Sequence, residues 1–266
     1  MSRITAFAYG LAAYAVFFAT FLYSITFVGA FAVPRTVDAG GPQAGTVEAL
    51  LVNGALLLLF AVQHSVMARQ EFKRRWTRVV PQSVERSTYV LLSSLVLALL
   101  FWQWRPMPAV VWDVEAAWAR GAIWTIFALG WLLVLASTFM ISHFDLFGLR
   151  QVWLRLRELP YRPIEFQLSF LYRFVRHPLL LGFLIAFWAA PTMTVGHLLF
   201  AVATTGYILV GVKLEERDLA QAHGEAYEAY RRTTPMLVPL PGRAASTDVL
   251  ALDRVRRSAP PLENLG

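Results

Sequence analysis

Six apolar runs dominate this chain, at roughly 7–33, 47–67, 88–104, 121–141, 179–191 and 195–212. Most approach the ~20 residues an α-helix needs to cross ~30 Å of hydrocarbon. The expected fold is therefore all-α: a polytopic transmembrane helical bundle of about six segments. Composition agrees. Only 15% of the 266 residues are charged and 57% are hydrophobic, against about 25% charged in ordinary soluble domains, and the mean hydropathy is +0.52. The first run is too long for a signal-peptide core and is expected to be retained as a span. The fifth is short. Pro191 and Gly196 bracket the turn into the sixth, so the last two segments are expected to form a tight helical hairpin.

The basic residues are unevenly placed. Arg69, Lys73, Arg74, Arg75 and Arg78 crowd one loop, and Arg150, Arg155, Arg157, Arg162, Arg173 and Arg176 another. The loops near 34–46 and 105–120 are almost balanced. With six crossings, both basic loops and both termini fall on the cytoplasmic side. The net charge of +7 is explained by these loops and points to no nucleic acid partner. Trp102, Trp104, Trp112, Trp118 and Trp124 gather around the second outer loop, as an interfacial aromatic belt does. The chain has no Cys, which excludes disulfides, thiolate nucleophiles and Cys-ligated metals; no metal centre is expected. Residues 1–241 read as one membrane-embedded domain. The polar, Pro-punctuated stretch 242–266 reads as a weakly ordered tail.

Several polar residues need a reason to be where they are. "VRHPLLLG" (175–182) places Arg176 and His177 where a charged loop meets the hairpin. Pro178 suits a first helical turn, where its missing N–H would be unpaired anyway. The sixth run passes straight into Glu215 and Glu216, carboxylates that are costly near a membrane without cations or donors. Tyr227, Tyr230 and Arg231 then share one helix face at i, i+3 and i+4. Gln63 and His64 stand near the cytoplasmic end of the second run, and Asn53 lies three turns earlier on nearly the same face. His143 and Asp145, in "SHFDLFG", follow the fourth run. Interhelical hydrogen bonds, worth about 0.6 kcal/mol each, would explain any one of these histidines alone. Their shared depth beside His177 favours a common site.

The order Arg-His-Pro, Gly182, a short apolar hairpin, Glu-Glu and "GEAYEAY" resembles membrane methyltransferases related to isoprenylcysteine carboxyl methyltransferase and the phospholipid methyltransferases. "SHFDLFGLRQVW", "RHPLLLGFLIAFWAAPTMTVGHLLFA" and "EERDL" are more similar still to the bacterial methanethiol S-methyltransferases of the NnrU-like group, over nearly the whole chain to about residue 241. The resemblance implies S-adenosylmethionine as cofactor, and a volatile thiol as acceptor, methanethiol giving dimethyl sulfide. It also implies a multi-pass protein of the bacterial cytoplasmic membrane, in contact with its lipids, with the cofactor site facing the cytoplasm. By resemblance, His177, Gly182, Glu215 and Glu216 bind the cofactor. Arg176 or Arg231 supplies a cation for its carboxylate, and Tyr227 and Tyr230 supply aromatic walls. The carboxyl methyltransferases usually have Tyr where this chain has Leu180, so that contact is not carried over.

A thiol reacts best as thiolate. His143 assisted by Asp145, then His64, are the candidate bases. Other readings stay open at this stage: another membrane-partitioning thiol or a lipid as acceptor, a haem held by His64 and His143, a nicotinamide-dependent reductase, or a non-catalytic accessory protein.

Overall fold

The computed structural model describes residues 1–162, 164 and 170–240. The expected flexible tail at 242–266 lies outside them. In hydrocarbon each backbone polar group must find its partner within the protein, which helices achieve segment by segment. The chain accordingly forms α1 (Arg3–Gly29), α2 (Thr46–Ala68), α3 (Gln70–Trp76), α4 (Gln82–Gln103), β1 (Val110–Asp113), α5 (Ala117–Ile141), α6 (His143–Leu146), α7 (Leu149–Leu156), α8 (Pro178–Trp188), β2 (Thr192–Thr194), α9 (Val195–His223) and α10 (Glu225–Thr233). Among the described residues, five helices are long and apolar enough to cross a membrane: α1, α2, α4, α5 and most of α9. The all-α polytopic bundle is what the chain adopts.

The sixth pass is made differently. α8 has 11 residues, about 16 Å of helix, roughly half the hydrocarbon thickness. The remainder is extended chain ending in β2. β2 pairs antiparallel with β1 through Val110↔Thr194, Trp112↔Met193 and Asp113↔Thr192. This small ribbon, absent from the expected all-helical layout, pins the α8–α9 turn to the loop after α4. α8 and α9 still pack as a hairpin, with Phe187 and Phe200 rings 5.1 Å apart. α8 also lies along α5 at glycine distance. A Cβ on Gly182 would meet Gly130 O at 2.7 Å and Val134 N at 2.8 Å. Small residues at such crossings let membrane helices pack backbone to backbone.

Boundaries moved where polar residues sit at the ends of apolar runs. α4 starts at Gln82, six residues before its apolar run, so Arg86 belongs to its first turns. α9 carries on past the apolar run through Glu215 and Glu216. Exposed Leu50, Leu51, Leu58, Leu59 and Val62 on α2 are the surface expected of a helix facing lipid. In the aromatic belt, Trp102 and Trp118 are exposed, but Trp104 is fully buried; its indole N–H donates to Val37 O at 3.0 Å.

Candidate active site

Two compartments meet at the start of α8. The first is an ion-paired cluster. His177 caps α8, with Pro178 in the first turn. The N–H groups of Arg176 and His177 donate to Pro235 O and Met236 O at 2.9 and 3.1 Å, so the segment after α10 clasps the Arg-His-Pro loop. Buried Arg176 donates from Nε to Glu216 Oε1 at 2.7 Å, and its Nη2 lies 2.5 Å from the same oxygen. Arg176 Nη1 also donates to Arg231 O at 2.9 Å and to Thr234 O. His177 Nε2 lies 3.2 Å from Glu216 Oε1, and its Nδ1 3.6 Å from Glu215 Oε2. Arg231 Nε completes the set, 3.6 Å from Glu216 Oε2.

Seven of the eight residues expected at a cofactor site are therefore gathered on the turn into α8, the end of α9 and α10: Arg176, His177, Glu215, Glu216, Tyr227, Tyr230 and Arg231. Tyr227 and Tyr230 are buried, rings 6.0 Å apart, and the Tyr230 hydroxyl donates to Tyr172 O. They anchor α10 instead of forming an open aromatic wall. Burial pushes the Tyr227 phenol up to about 12, with nearby Glu216 adding to it. Burial raises Tyr230 and Tyr172 as well. Gly182 stands apart: the backbone it approaches is that of α5. A polar cleft of about 550 Å³ opens beside the cluster, lined by Lys213, Glu216, Arg217, Ala220, Gln221 and Arg231.

The second compartment is an apolar cavity of about 410 Å³ between α1, α2, α4, α5, α6, α8 and α9. Leu179 and Leu180, the residues after Pro178, line its wall. His64 and His143 both face it, on different helices. His64 stacks on Phe60 with centroids 5.2 Å apart, and its Nε2 lies 2.9 Å from the Tyr89 hydroxyl. Arg86, whose guanidinium stands 5.1 Å from the Tyr89 ring centroid, also lines the cavity. Its Nε donates to Leu146 O at 2.7 Å. Arg86 and Tyr89 were not foreseen. Their only signal in the sequence is polarity just ahead of an apolar run, which reads equally well as a membrane anchor.

His143 opens the one-turn α6 and is buried. Its ring stacks on Phe139, centroids 4.3 Å apart and nearly parallel. The Thr138 hydroxyl donates to Leu135 O at 2.7 Å, so it accepts from His143 Nδ1–H at 2.9 Å. Nε2 then carries the lone pair and receives the Tyr14 O–H at 2.8 Å. Burial holds the imidazole below its ordinary range, hence neutral.

Asp145 does not assist it. In a helical turn i and i+2 diverge; the Asp145 carboxylate binds Arg150 at 2.9 Å and accepts from Tyr161 at 3.3 Å. Asn53 is likewise outside the site. Its amide exchanges two 2.8 Å hydrogen bonds with the Arg105 backbone at the opposite end of α2.

The family model described as NnrU protein matches residues 51–239, a range that contains every expected site residue. The chain belongs to the NnrU family. Within reach of this NnrU-type chain are curated relatives named methanethiol S-methyltransferase. That of Mycobacterium tuberculosis is 59% identical over 243 residues, 91% of this chain and 99% of the relative. One from Bradyrhizobium diazoefficiens is 54% identical, covering 89% and 83%; that of Crocosphaera subtropica is 49% identical, covering 91% and 95%. No solved structure matches.

Proposed function

We propose that this NnrU-family membrane protein is a methanethiol S-methyltransferase, moving a methyl group to the thiol sulfur to give dimethyl sulfide. The observation that carries the reading is near full-length identity of 49% to 59% with proteins of that name. The methyl donor is taken to be S-adenosylmethionine, which supplies an electrophilic methyl on a sulfonium and leaves as S-adenosylhomocysteine.

The residues present fit such a donor. Its zwitterionic end and ribose diol need cations and carboxylates side by side. The polar cleft offers Lys213, Arg217 and Arg231 with Glu216, and half-exposed Glu215 stands next to it. Thr234, whose carbonyl accepts from Arg176, keeps its Oγ1 buried without a partner among the described residues. Glu216, already engaged by Arg176 and His177, shapes the site and sets the charge of its floor.

The acceptor belongs in the apolar cavity. Methanethiol and dimethyl sulfide are small and apolar, and both partition into hydrocarbon. A thiolate meeting a sulfonium loses charge in the transition state. A low-dielectric pocket withholds the water that would stabilise the separated charges, which favours such a step. Neutral His143 or His64 accepts the thiol proton, and Arg86 lies where it holds the resulting anion. Alignment of the reacting atoms supplies further acceleration, up to ~7–11 kcal/mol. Both His143 nitrogens are engaged by hydroxyl groups, which suits a hydrogen-bonded base better than an axial haem ligand.

The positive charge of the loops holding Arg69–Arg78 and Arg150–Arg176 supports a cytoplasmic, inner-membrane location for them and for the cofactor cleft. The test is purified protein in detergent with labelled S-adenosylmethionine and methanethiol. Labelled dimethyl sulfide in the headspace supports the reading; cofactor binding without transfer to any thiol overturns it.

A further inference from the structure

The acceptor cavity is far larger than methanethiol. Methanethiol has two heavy atoms, whereas the cavity measures about 410 Å³, against the ~10–15 Å³ that admits one water. The shape is as informative as the volume. On α4 the lining runs from Arg86 to Phe101, about 22 Å along the axis at 1.5 Å per residue. On α1 it runs from Phe17 to Val28, about 16 Å. The cavity is therefore elongated, long enough for a chain of several methylenes laid end to end.

Its chemistry is graded along that length. Polar groups collect at one end: Arg86, His64, Tyr89 and His143. Beyond them the wall is mostly aromatic and aliphatic, with Phe21, Trp131, Phe183, Phe187 and Phe200 and the aliphatic ends Val28 and Leu100; the Thr20, Ser24, Ser94 and Thr204 hydroxyls that also line it are spent on carbonyls of their own helices. Arg86 is the one permanently charged side chain on the wall among the described residues. A ligand matching this gradient has a single ionisable head and a straight apolar tail.

We infer that the protein also methylates straight-chain alkane thiols of medium length, with the sulfur at the Arg86–His64–His143 end and the chain lying along α4 towards Leu100. The inference rests on the methyltransferase reading above and extends its substrate class. The step is balanced: the thiol proton passes to an imidazole, the thiolate sulfur bonds to the methyl carbon, the carbon–sulfonium bond breaks, and the donor leaves as a neutral thioether. A methyl alkyl thioether is the product.

The experiment uses the full chain in lipid nanodiscs with S-adenosylmethionine and 1-thiols from one to twelve carbons, products being read by mass spectrometry. Rates are compared at equal mole fraction of thiol in the bilayer. Partitioning, which favours longer chains about fourfold per methylene, then drops out. The expected result is turnover of butane- to octanethiol at a kcat/KM equal to or above that of methanethiol, and a fall of at least tenfold once the chain outgrows the cavity. Ser94, which lines the cavity midway along α4, gives a second reading. Ser94→Phe should lower the ratio of octanethiol to methanethiol turnover at least tenfold. Methanethiol turnover with hundredfold lower rates from butanethiol upward overturns the inference and leaves the methyltransferase reading standing. No turnover of any thiol, methanethiol included, overturns both.

Discussion

Arg176 Nη2 lies 2.5 Å from Glu216 Oε1, joining the turn before α8 to the far end of α9 across forty positions of chain. Both side chains are buried. The pair, with the backbone bonds from Arg176 and His177 to Pro235 and Met236, ties α9 and the segment after α10 to the turn into α8. A buried ion pair contributes modestly compared with an apolar pair, but removal of one partner leaves an uncompensated charge.

Glu216→Ala should therefore destabilise the protein by about 3–5 kcal/mol, because Arg176 would stay buried without its anion. Thermal unfolding in detergent measures this. Glu215→Ala, at a half-exposed carboxylate, should leave the unfolding temperature nearly unchanged and weaken S-adenosylmethionine binding by calorimetry. Equal thermal shifts in the two variants would remove the division of labour drawn between these neighbours.

Gly182→Val should fail to assemble. Its Cβ alone would stand 2.7 Å from Gly130 O, inside any real carbon–oxygen contact, and α8 cannot retreat without breaking its ribbon and its Arg176–Glu216 anchor. Gly206→Ala, where an added Cβ meets nothing within 4 Å, is the control. Size-exclusion profiles in detergent compare the two. A monodisperse Gly182→Val protein would show that the helix crossing tolerates separation.

The membrane bundle was legible because twenty-residue apolar runs admit few structures, and the Arg-His-Pro and Glu-Glu residues were legible because charge at a membrane edge demands a partner. What the sequence withheld has physical causes. The fifth run reads as short, but nothing in it tells that α8 stops after 11 residues and hands over to extended chain. The β1–β2 ribbon comes from seven residues (Val110–Asp113 and Thr192–Thr194) eighty positions apart, with no local pattern. Gly182 reads as a close approach, and the sequence does not say to what; the partner is α5. His143 and Asp145 looked like a pair by proximity, but a helical turn sends them apart and Arg150 takes the carboxylate. Arg86 was not singled out at all, because its place on the wall depends on a cavity made by six other helices.

Orientation has a direct test, since the chain has no Cys to confuse labelling. Arg75→Cys should react with a membrane-impermeant maleimide only in inverted vesicles, and Trp118→Cys, on an 80% exposed residue across the bilayer, only in intact cells. The reverse pattern would overturn the cytoplasmic placement of the polar cleft.

The pH dependence follows from His143. Burial lowers its pKa from the ordinary value of 6.5, so the folded protein holds the neutral ring at pH values where an unfolded chain would already bind a proton. The sign is then fixed. Stability is undiminished above about pH 6.5 and falls as pH drops towards the lowered value, because protons favour the unfolded chain. The acid limb of kcat/KM, if His143 is the base, should lie below pH 6.5 for the same reason. His143→Gln should flatten that limb and lessen the acid loss of stability together. A limb unchanged in His143→Gln would transfer the base to His64.

Arg86 offers the sharpest division between charge and shape at the acceptor end. Its Nε is committed to Leu146 O and its guanidinium stands over Tyr89, so the side chain is held in place and only its outer nitrogens remain for an anion. A thiol carries no charge on entering; the thiolate does. The guanidinium therefore favours the ionised form and the approach to the transition state more than it favours binding of the neutral thiol, and its loss should appear in kcat more than in KM. Arg86→Gln should lower kcat with methanethiol by about 10²-fold, the scale of losing one charge-stabilising donor. It should also make the rate climb with pH as the thiol ionises without help. Arg86→Lys keeps the charge and loses the fork that reaches Leu146 and the ligand together, so it should recover part of kcat. A loss in Arg86→Lys as large as in Arg86→Gln, with the same unfolding temperature, would assign Arg86 to packing of α4 against the Leu146 turn and leave thiolate formation to the histidines alone.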